Sequence, residues 1–518
     1  MPAKRNRCVW SCLLVLLGAV STGFTFVEKQ PGVITVFTNQ ERGLVNKKVF
    51  GNNVAGYDPS TYEQSREEYC GFSDFGGGLW DPELNRPVSE VLALMKEAGV
   101  SVLRFPGGCG THHYDWKKTI GKDRSEFRFG LDEFLTVARE MGAESIITLS
   151  YFTGNAQTQA DLVEYLNTPD DGSNPNGGAD WAAVRAENGH PEPYGVRYFE
   201  IGNEVWHGDH RGIAKVTAKD YAEKYLTYYA ALKAVDPDIQ IGVVLFDKSW
   251  DHEVLGIIQD KLDFAIVHFY FSAGWAGKDL TNQDPKHVFA DTLKEPERYQ
   301  DRIRRKLMSL REAAGRDIPL AFTEYNTAFT QNEPLPYRHT LGSALVNAEI
   351  VKVLMNPENN ILLANYWDAL SRFWGMVYYS GSVDQNSLYN HYTKRPSFYV
   401  YQLYHHHFGD VLLKSTVSKQ QADLSVNSSK NIDGDKVYIF VVNRNVTKAF
   451  ESFVELEDFI PLEKVDAWTL DGTRVDALNE DGQEQVSVSH KTMNMQDGKF
   501  LLTFKPHSLT VLEFKRKN

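Results

Sequence analysis

The feature that most constrains the fold of this chain is a repeated alternation of short apolar runs with longer amphipathic segments. Most of the runs are continuous, which is typical of parallel strands buried on both faces. The apolar runs lie at Val49–Ala55, Ser101–Phe105, Ser145–Tyr151, Val196–Ile201, Ile239–Phe246, Asp263–Tyr270, Leu320–Tyr325 and Ile361–Trp367. Helical spacing of apolar residues separates them, as at Val88–Ala98, Leu131–Met141, Ala218–Ala234, Arg302–Ala313 and Thr340–Met355.

Eight strands, each followed by a helix or a long loop, predict an α/β fold of the (β/α)8 TIM barrel type over residues 45–409. A doubly wound open sheet is the competing α/β arrangement. No glycine-rich phosphate loop opens any of the helical segments, which weighs against it. In a barrel the C-terminal ends of the strands converge on one face, so side chains that follow the strands would share one pocket.

The chain changes character after about Asp410. Strand-like stretches follow one another with Gly, Asp and Asn between them, and the last of them alternates in period two. They are Lys436–Asn443, Val486–Ser489, Phe500–Phe504 and Ser508–Phe514. This pattern predicts a C-terminal antiparallel β-sandwich over residues 410–518. A strand from residues 28–40 could join the same sandwich.

The N-terminus has the pattern of a secretory signal peptide over residues 1–21. Lys4, Arg5 and Arg7 form a basic region, and Val9–Val20 is an apolar stretch too short to span a bilayer comfortably. Ala19–Ser21 offers small residues for cleavage. We therefore predict a secreted, periplasmic or otherwise extracytoplasmic protein, with an uncleaved signal anchor as the alternative. No other apolar run approaches membrane-spanning length, so no membrane contact is expected after cleavage.

Composition excludes several classes of partner. The formal net charge is −13 and no basic stretch follows the N-terminus, which argues against nucleic acid and anionic membranes. After cleavage, Cys70 and Cys109 would remain, and one pair in so long a chain is not a disulfide framework. Whether the two are bridged, and whether the chain forms a homo-oligomer, stays open.

Two glutamates carry the functional prediction. Glu204 and Glu324 each come at the end of a short apolar run, although they are far apart in sequence. A carboxylate at the tip of a buried strand is costly unless its charge is used there. Two of them on the same face of a barrel predict a two-carboxylate active site, and cleavage of glycosidic bonds is the reaction that most plainly needs one.

The motifs around these glutamates resemble those of a known enzyme group. Asn203–Glu204 after the fourth strand, with Glu324 ending the seventh, resembles the arrangement of glycoside hydrolase clan A. Further motifs resemble family 51 of that clan, the α-L-arabinofuranosidases. They are Leu103–Cys109, Tyr114–Trp116, Ile120–Gly121, Glu200–Glu204, Lys394–Gly409 and Pro506–Leu512.

The resemblance implies a role for each residue near the scissile bond. Glu204 would be the general acid/base and Glu324 the nucleophile of a retaining double displacement, which needs carboxyl groups within about 6 Å. Asn203 would hydrogen-bond the 2-hydroxyl of the sugar. Tyr270 would donate to Glu324, and Arg104 would add positive charge beside it. An ordinary core tyrosine and a structural salt bridge are the alternatives for the last two.

Four further residues are predicted to bind substrate: Cys109, Trp206, His268 and Trp367. Cys109 occupies a position where the family carries either Asn or Cys, and a nucleophilic role for its thiol is not indicated. Trp206 and Trp367 would be sugar platforms, with rim packing as the alternative. Hydrolysis by double displacement needs no metal and no cofactor, so none is predicted.

Two segments depart from the family pattern. Gly51–Tyr57 offers asparagines where an acidic residue usually grips the sugar, and Ala364–Leu370 also differs. The leading prediction is a secreted α-L-arabinofuranosidase-like enzyme that cleaves terminal glycosyl residues from oligo- or polysaccharides. Another retaining clan A enzyme, such as an endoglycanase, a xylosidase or another furanosidase, is the alternative. A non-catalytic carbohydrate-binding relic is disfavoured because both glutamates and Asn203 are present.

Overall fold

The computed structural model describes residues 30–55, 78–81, 83–122, 124, 129–208, 215–329, 337–371, 374–379, 392–480, 483–496 and 499–517. The chain from Gly32 onward forms one compact unit. The predicted signal peptide and Cys70 lie outside the described residues. Among the residues described, no helix has both the length and the apolar character that crossing a bilayer requires.

Eight parallel strands close into a barrel, which confirms the predicted fold and excludes the open sheet. Strand β1 (Gly32–Leu44) precedes the barrel, and two short paired strands, β3 (Trp80–Asp81) and β4 (Arg86–Pro87), follow the first barrel strand. The barrel strands, in chain order, are β2 (Gly51–Ala55), β5 (Val102–Gly107), β6 (Glu144–Leu149), β7 (Tyr198–Ile201), β8 (Gln240–Val244), β9 (Phe264–Phe271), β10 (Leu320–Thr327) and β11 (Ile361–Tyr366). The ring closes where β11 pairs with β2 through Asn365–Gly51 and Tyr366–Asn52.

Helices follow the barrel strands and cover them on the outside. They are α1 (Ser89–Glu97), α2 (Leu131–Met141), α3 (Ala156–Asn167), α4 (Trp181–Glu187), α5 (Ala218–Val235), α6 (Lys248–Ile258), α7 (Pro285–Thr292), α8 (Glu295–Ala314), α9 (Leu341–Leu354) and α10 (Pro396–His407). Side-chain caps set many of their starts; Thr217, Asp247 and Thr340, for example, accept hydrogen bonds from backbone N–H groups of the first turn.

One predicted helix begins earlier than its apolar pattern suggests. α8 starts at Glu295, seven residues before Arg302, with Pro296 in its first turn. Its N-terminal half carries charges on most positions, so apolar spacing does not mark it. Proline at the first turn and acidic residues near the helix N-terminus are the signals that favour this start.

The C-terminal part forms one sheet of nine strands. These are β1 (Gly32–Leu44), β14 (Val411–Val417), β15 (Leu424–Lys430), β16 (Lys436–Asn443), β17 (Phe450–Glu457), β18 (Pro461–Gly472), β21 (Val486–Asn494), β22 (Phe500–Phe504) and β23 (Ser508–Arg516). Their order is β21-β18-β23-β16-β15-β14-β1-β17-β22, antiparallel except where β1 pairs with β17. The remaining strands form two-stranded pairs: β3 (Trp80–Asp81) with β4 (Arg86–Pro87), β12 (Val377–Tyr379) with β13 (Tyr392–Lys394), and β19 (Asn479–Glu480) with β20 (Gln483–Glu484).

This nine-stranded sheet folds over on itself as a sandwich. Phe500 on the edge strand β22 packs edge-on against Phe514 on β23, with ring centroids 5.1 Å apart, although the two strands are far apart in the sheet order. Both rings belong to one apolar core that also contains Ile34 and Val36 of β1. The strand that precedes the barrel in sequence is therefore an interior strand of the C-terminal sandwich.

Candidate active site

The two glutamates predicted to act together lie close together at the C-terminal ends of their strands. Glu204 follows β7, whereas Glu324 lies within β10 and pairs in register with His268 of β9. One carboxylate oxygen of Glu204, one of Glu324 and a ring nitrogen of His268 all lie within 4.8 Å of one another. Strands four and seven of the barrel thus bring the carboxylates to one pocket.

Glu204 has an unusual backbone and two histidine partners. Its φ of 41° and ψ of 38° are left-handed, a conformation that costs a non-glycine residue on the order of 1–3 kcal/mol. The turn of 3-10 helix that follows, Val205–His207, places His207 Nε2 2.8 Å from one carboxylate oxygen. His268 Nδ1 lies 2.8 Å from the other oxygen. The strained turn therefore holds this carboxylate between two imidazoles.

These contacts determine whether Glu204 or His268 holds the proton that the two residues share. Burial alone would raise the pKa of Glu204, but hydrogen bonds from His207 and His268 outweigh it and hold the pKa below its ordinary value. Burial alone would lower the pKa of His268, but Glu324 and Glu204 outweigh it, and the pKa is raised. The proton of this cluster is thus bound more tightly by the imidazole than by the carboxylate.

The surroundings of Glu324 are different and more rigid. Only 5% of this residue is exposed. Arg104 Nη1 donates to one carboxylate oxygen at 2.9 Å, and the Tyr270 hydroxyl donates to the other at 2.6 Å. The arginine and the tyrosine therefore lie where the resemblance places them, and the two hydrogen bonds fix the position of this carboxylate.

Arg104 connects four polar residues beneath the pocket. It is fully buried, and it donates from Nε to Glu200, from Nη1 to Asn53 at 3.0 Å and from Nη2 to Asn203 at 2.7 Å, in addition to Glu324. Burial alone would lower the pKa of Arg104, but the charges of Glu200 and Glu324 raise it. The guanidinium stays charged and fixes the positions of its acceptors.

Two members of this network are not predicted from the sequence as site residues. Asn53 was expected near the hydroxyl groups of the sugar; instead its amide donates to the backbone oxygens of Thr323 and Tyr366 at 2.9 and 3.1 Å. Its oxygen accepts from Arg104, so the residue braces the network. Glu200 stands inside an apolar strand, and a fully buried acid in such a run is the signal that could have identified it.

Asn203 and Cys109 lie side by side next to Glu204. Asn203 is 1% exposed, accepts from Arg104 through its oxygen and directs its amide nitrogen toward Cys109 Sγ, 3.6 Å away. A thiol is a weak acceptor, so this amide remains able to donate to a substrate hydroxyl. The geometry fits the predicted contact of Asn203 with the sugar.

Trp367 forms an aromatic wall on the side of the nucleophile. It is buried with Trp374, and Tyr270 packs against the pair. A Cβ at Gly108 would lie 2.5 Å from Cη2 of Trp367, and Gly108 has a φ of +69°. The second glycine of the Pro106–Gly108 motif is therefore required both by its backbone conformation and by the space that the indole occupies.

Trp206 lies on the opposite side, next to the acid. Its indole stacks on Phe246 in a cavity of about 1510 Å³ that Glu204, His207, His268 and Tyr270 also line, and that extends between α6 and α8. Contacts around Glu204 and Glu324 thus connect the residues of the sequence-based set, which consists of Glu204, Glu324, Asn203, Tyr270, Arg104, Cys109, Trp206, His268 and Trp367. His207, Glu200, Asn53, Trp374 and Phe246 are the additions that the tertiary structure makes.

Two sets of side chains in the pocket have donor atoms close enough to hold a metal ion. One consists of Cys109, Glu204 and His207, and the other of Glu204, His268 and Glu324. Both contain the carboxylate of Glu204, and the second contains both catalytic candidates. A cation bound there would occupy the groups that a glycosidase needs for proton transfer and nucleophilic attack.

Comparison with known proteins identifies the family. A model of the α-L-arabinofuranosidase 1 domain matches residues 94–287, and one of the α-L-arabinofuranosidase C-terminal domain matches residues 323–508. A probable α-L-arabinofuranosidase C of Aspergillus clavatus is 26% identical over 506 residues, covering 86% of this chain and 94% of the relative. An intracellular exo-α-L-arabinofuranosidase of Bacteroides ovatus is 22% identical over 488 residues, covering 86% and 88%.

Solved structures agree with these matches in fold. The crystal structure of an α-L-arabinofuranosidase of Thermotoga maritima in complex with arabinose superposes with a TM-score of 0.76 at 24% identity, over 93% of this chain and all of the other. The first match lies within the barrel, and the second begins in barrel strand β10 and extends through the C-terminal sheet. The chain is a glycosyl hydrolase that belongs to clan A and to its family 51, the α-L-arabinofuranosidases.

Proposed function

We propose that this protein is a secreted, retaining α-L-arabinofuranosidase that removes terminal arabinofuranosyl residues from oligo- or polysaccharides by double displacement. The observation that carries the mechanism is the separation of Glu204 and Glu324, whose nearest carboxylate oxygens lie within 4.8 Å. Retaining enzymes keep these groups about 5–5.5 Å apart, whereas inverting enzymes need about 6.5–9.5 Å to admit water between acid and base.

In the first step the carboxylate of Glu324 attacks the anomeric carbon. The bond from that carbon to the leaving oxygen breaks, and the oxygen takes a proton from Glu204, giving a covalent glycosyl-enzyme. In the second step Glu204 removes a proton from water, the water oxygen attacks the same carbon, and Glu324 leaves. Two inversions at one carbon give net retention.

The histidines explain how Glu204 can deliver a proton. The lowered pKa of Glu204 and the raised pKa of His268 place the proton of the resting pair mainly on the imidazole. His268 contacts Glu204 through Nδ1 and the Thr323 hydroxyl through Nε2, which fixes the ring. His268 passes this proton to the Glu204 carboxylate, and Glu204 passes it on to the bound leaving oxygen.

The walls of the pocket favour action on a terminal sugar. On the side of the nucleophile, Trp367 and Trp374 are 2% and 5% exposed and form an aromatic wall. On the side of the acid, the cavity continues between α6 and α8. An aromatic wall on one side and a cavity on the leaving-group side support an exo-acting enzyme.

Secretion rests on the N-terminal signal pattern. The Bacteroides ovatus relative is named an intracellular enzyme, so location can differ between relatives. Expression of the full chain in a secretion-competent host should deliver the protein outside the cytoplasm with its N-terminus near residue 22. An intact N-terminus on cytoplasmic protein would contradict this part of the proposal.

The decisive experiment compares the two glutamates and the stereochemistry of the product. Glu324→Ala should abolish turnover of every substrate. Glu204→Ala should still form the glycosyl-enzyme from aryl glycosides with good leaving groups, and azide should restore the second step. NMR should detect the α-arabinofuranose anomer first. Equal losses without azide rescue, or a β-anomer formed first, would overturn the mechanism.

A substrate panel tests the glycone. Aryl α-L-arabinofuranoside should have the highest kcat/KM among aryl furanosides and pyranosides. Because the first-strand and eighth-strand segments depart from the family pattern, we expect that activity to be weaker than in typical family members. If activity on the arabinofuranoside is at background while a β-pyranoside is clearly hydrolysed, the arabinofuranosidase assignment is wrong. The enzyme would then be a retaining clan A glycosidase with a different sugar specificity.

A further inference from the structure

We propose that Arg395 and Glu480 are positioning residues for the reaction. Together they hold the backbone of Ser371 and Gly375, and with it the indole of Trp374, beside the nucleophile. The inference rests on the proposed function, because it takes Glu324 as the nucleophile. It gives the C-terminal part of the chain, which contributes Glu480, a role in forming the active site.

Arg395 binds the backbone on both sides of Trp374. It lies between β13 and α10 and is 1% exposed. Its Nη1 donates to the Ser371 carbonyl at 3.1 Å and to the Gly375 carbonyl at 2.8 Å. A guanidinium is planar and presents its N–H groups in a fixed arrangement, whereas an ammonium group does not. Arg395 therefore sets the distance between these two carbonyls.

Ser371 connects the same backbone from within. Its hydroxyl oxygen accepts from the backbone N–H groups of Trp374 and Gly375, both at 3.0 Å, and the hydroxyl donates to Asp368 at 3.0 Å. A Cβ on Gly375 would lie 2.2 Å from the Ser371 backbone nitrogen, so the two residues are in close contact. This packing leaves the backbone next to Trp374 little freedom to rearrange while Arg395 is in place.

The indole of Trp374 leads directly to the nucleophile. Its ring centroid lies 5.4 Å from that of Tyr270, whose hydroxyl donates to Glu324 at 2.6 Å. The Arg338 guanidinium also contacts the indole, with Cζ 3.8 Å from the ring centroid. A displacement of Trp374 would thus remove support from Tyr270 and change the hydrogen bond that orients the Glu324 carboxylate.

Glu480 keeps the arginine in this position. Arg395 Nε donates to Glu480 Oε1 at 2.7 Å, and a buried guanidinium is stable only beside a counter-charge. Glu480 lies in the connection between β18 and β21 of the C-terminal sheet. The preceding residue, Asn479, exchanges hydrogen bonds of 2.8 and 2.9 Å with the backbone of Val486 in β21. The C-terminal sheet therefore supplies the charge on which the pocket wall depends.

The first test replaces the two residues conservatively. Glu480→Gln keeps the size of the side chain and removes its charge, and kcat/KM on an aryl α-L-arabinofuranoside should fall roughly 5- to 20-fold. The loss should lie mainly in kcat, because Tyr270 and Glu324 act in the bond-forming step. Arg395→Lys keeps the positive charge but loses the planar group, and its loss should be at least as large. Rates are compared well below the unfolding temperature of each variant.

The second test asks whether the effect passes through Trp374. In a Trp374→Ala background, Glu480→Gln should lower kcat by less than about 2-fold, because the side chain that it positions is already absent. A general structural role would give the same fold loss in both backgrounds, which would overturn the proposal. A Trp374→Ala variant as active as the unsubstituted enzyme would overturn it as well.

Lys394→Met is the matched control. Lys394 precedes Arg395, and its ammonium bonds both carboxylate oxygens of Glu97 on α1, at 2.7 and 2.8 Å. Breaking this neighbouring ion pair should leave kcat/KM within about 2-fold. If Arg395→Lys does not fold, Glu480→Gln decides alone, and an unchanged kcat there contradicts the positioning role. If the unsubstituted enzyme hydrolyses only another glycoside, the substrate assignment fails, and the same ratios measured on that glycoside still decide the role of Arg395 and Glu480.

Discussion

At the scale of single residues, the candidate nucleophile shares an arginine with a second buried carboxylate. Arg104 bonds both Glu200 and Glu324, and all three are almost completely buried. One oxygen of Glu200 accepts from Arg104 and from Thr148, the latter at 2.5 Å, and the other has no hydrogen-bond partner among the described residues. Glu200 therefore offsets part of the positive charge that Glu324 would otherwise experience.

Replacing Glu200 with glutamine should lower kcat about 10-fold or more. Arg104 would then act on Glu324 without a competing carboxylate, and a carboxylate held by an undivided positive charge is a poorer nucleophile. Thr148→Val, which removes a hydrogen bond from Glu200 but keeps its charge, should lower kcat far less. Measurement of kcat on an aryl α-L-arabinofuranoside compares both variants with the unsubstituted enzyme, and equal losses would contradict the shared-charge account.

Asp368 should make stability depend on pH. It follows Trp367, is 3% exposed, and burial raises its pKa to about 7, although the Ser371 hydroxyl bonds it at 3.0 Å. The folded state thus binds a proton that the unfolded state releases above about pH 4. Stability contributed by this site is complete below that pH and is lost as the pH rises to about 7, by roughly 4 kcal/mol over three pH units.

Asp368→Asn should remove this dependence. The difference in free energy of unfolding, variant minus unsubstituted protein, should increase by several kcal/mol between about pH 4 and pH 8. Denaturant unfolding of both proteins at several pH values measures this difference. The contributions of the other titrating groups are the same in both proteins and therefore cancel. Parallel pH profiles for the two proteins would show that the carboxyl is ionised in the folded state.

At the scale of secondary structure elements, β1 has the most unexpected position. It is the first described strand of the chain, yet it lies between β14 and β17 in the C-terminal sheet. Ile34 pairs with Val417 on one side and with Val454 on the other, and its side chain is fully buried. The C-terminal sandwich is therefore completed only by residues that precede the barrel.

Ile34→Ala should destabilise the protein by about 2–5 kcal/mol, the range for truncating a buried aliphatic side chain. Leu44→Ala, near the other end of the same strand, is the control; Leu44 is 71% exposed, and its loss should stay within about 0.5 kcal/mol. Urea unfolding measures both. Similar small losses in the two variants would mean that β1 contributes little to the sandwich.

At the scale of the whole molecule, the barrel and the sandwich share a core. Tyr404 of α10 stacks on Phe440 of β16 with ring centroids 4.1 Å apart. The backbone N–H of Leu341, at the start of α9, donates to the Ala477 carbonyl at 2.8 Å. Phe440, Leu470 and several other sandwich residues belong to the same buried apolar cluster as the barrel strands.

A shared core predicts joint unfolding. Calorimetry should give one heat-absorption peak for the full chain, because exposing the sandwich would also expose the apolar surface of α10 and α9. A fragment that ends at residue 409 should not fold to a protease-resistant barrel. Two separated transitions, or a stable barrel fragment, would show that the two parts are independent.

Local sequence patterns are sufficient to predict the architecture and the two glutamates at the centre of the site. Eight continuous apolar runs became the eight barrel strands, because burial on both faces leaves a signal in local composition. Glu204 and Glu324 were identifiable because charged groups at the ends of buried strands are costly without a function, whereas the roles of Arg104 and Tyr270 came from the resemblance to family 51. These signals are local, so they can be recognised in one sequence without knowing which residues contact each other in the fold.

The folded structure is needed to show which distant residues complete the site and the sandwich. Glu200 and Asn53 acquire their role through Arg104, and β1 through strands almost 400 residues away. Asn427 is a further example: it begins the sequence Asn427–Ser429, which has the pattern of a glycosylation motif, but its side chain is buried against Met355. Local sequence patterns indicate burial and spacing. Which residues and strands contact each other is decided when the barrel and the sheet close, because those contacts join segments that are far apart in the sequence.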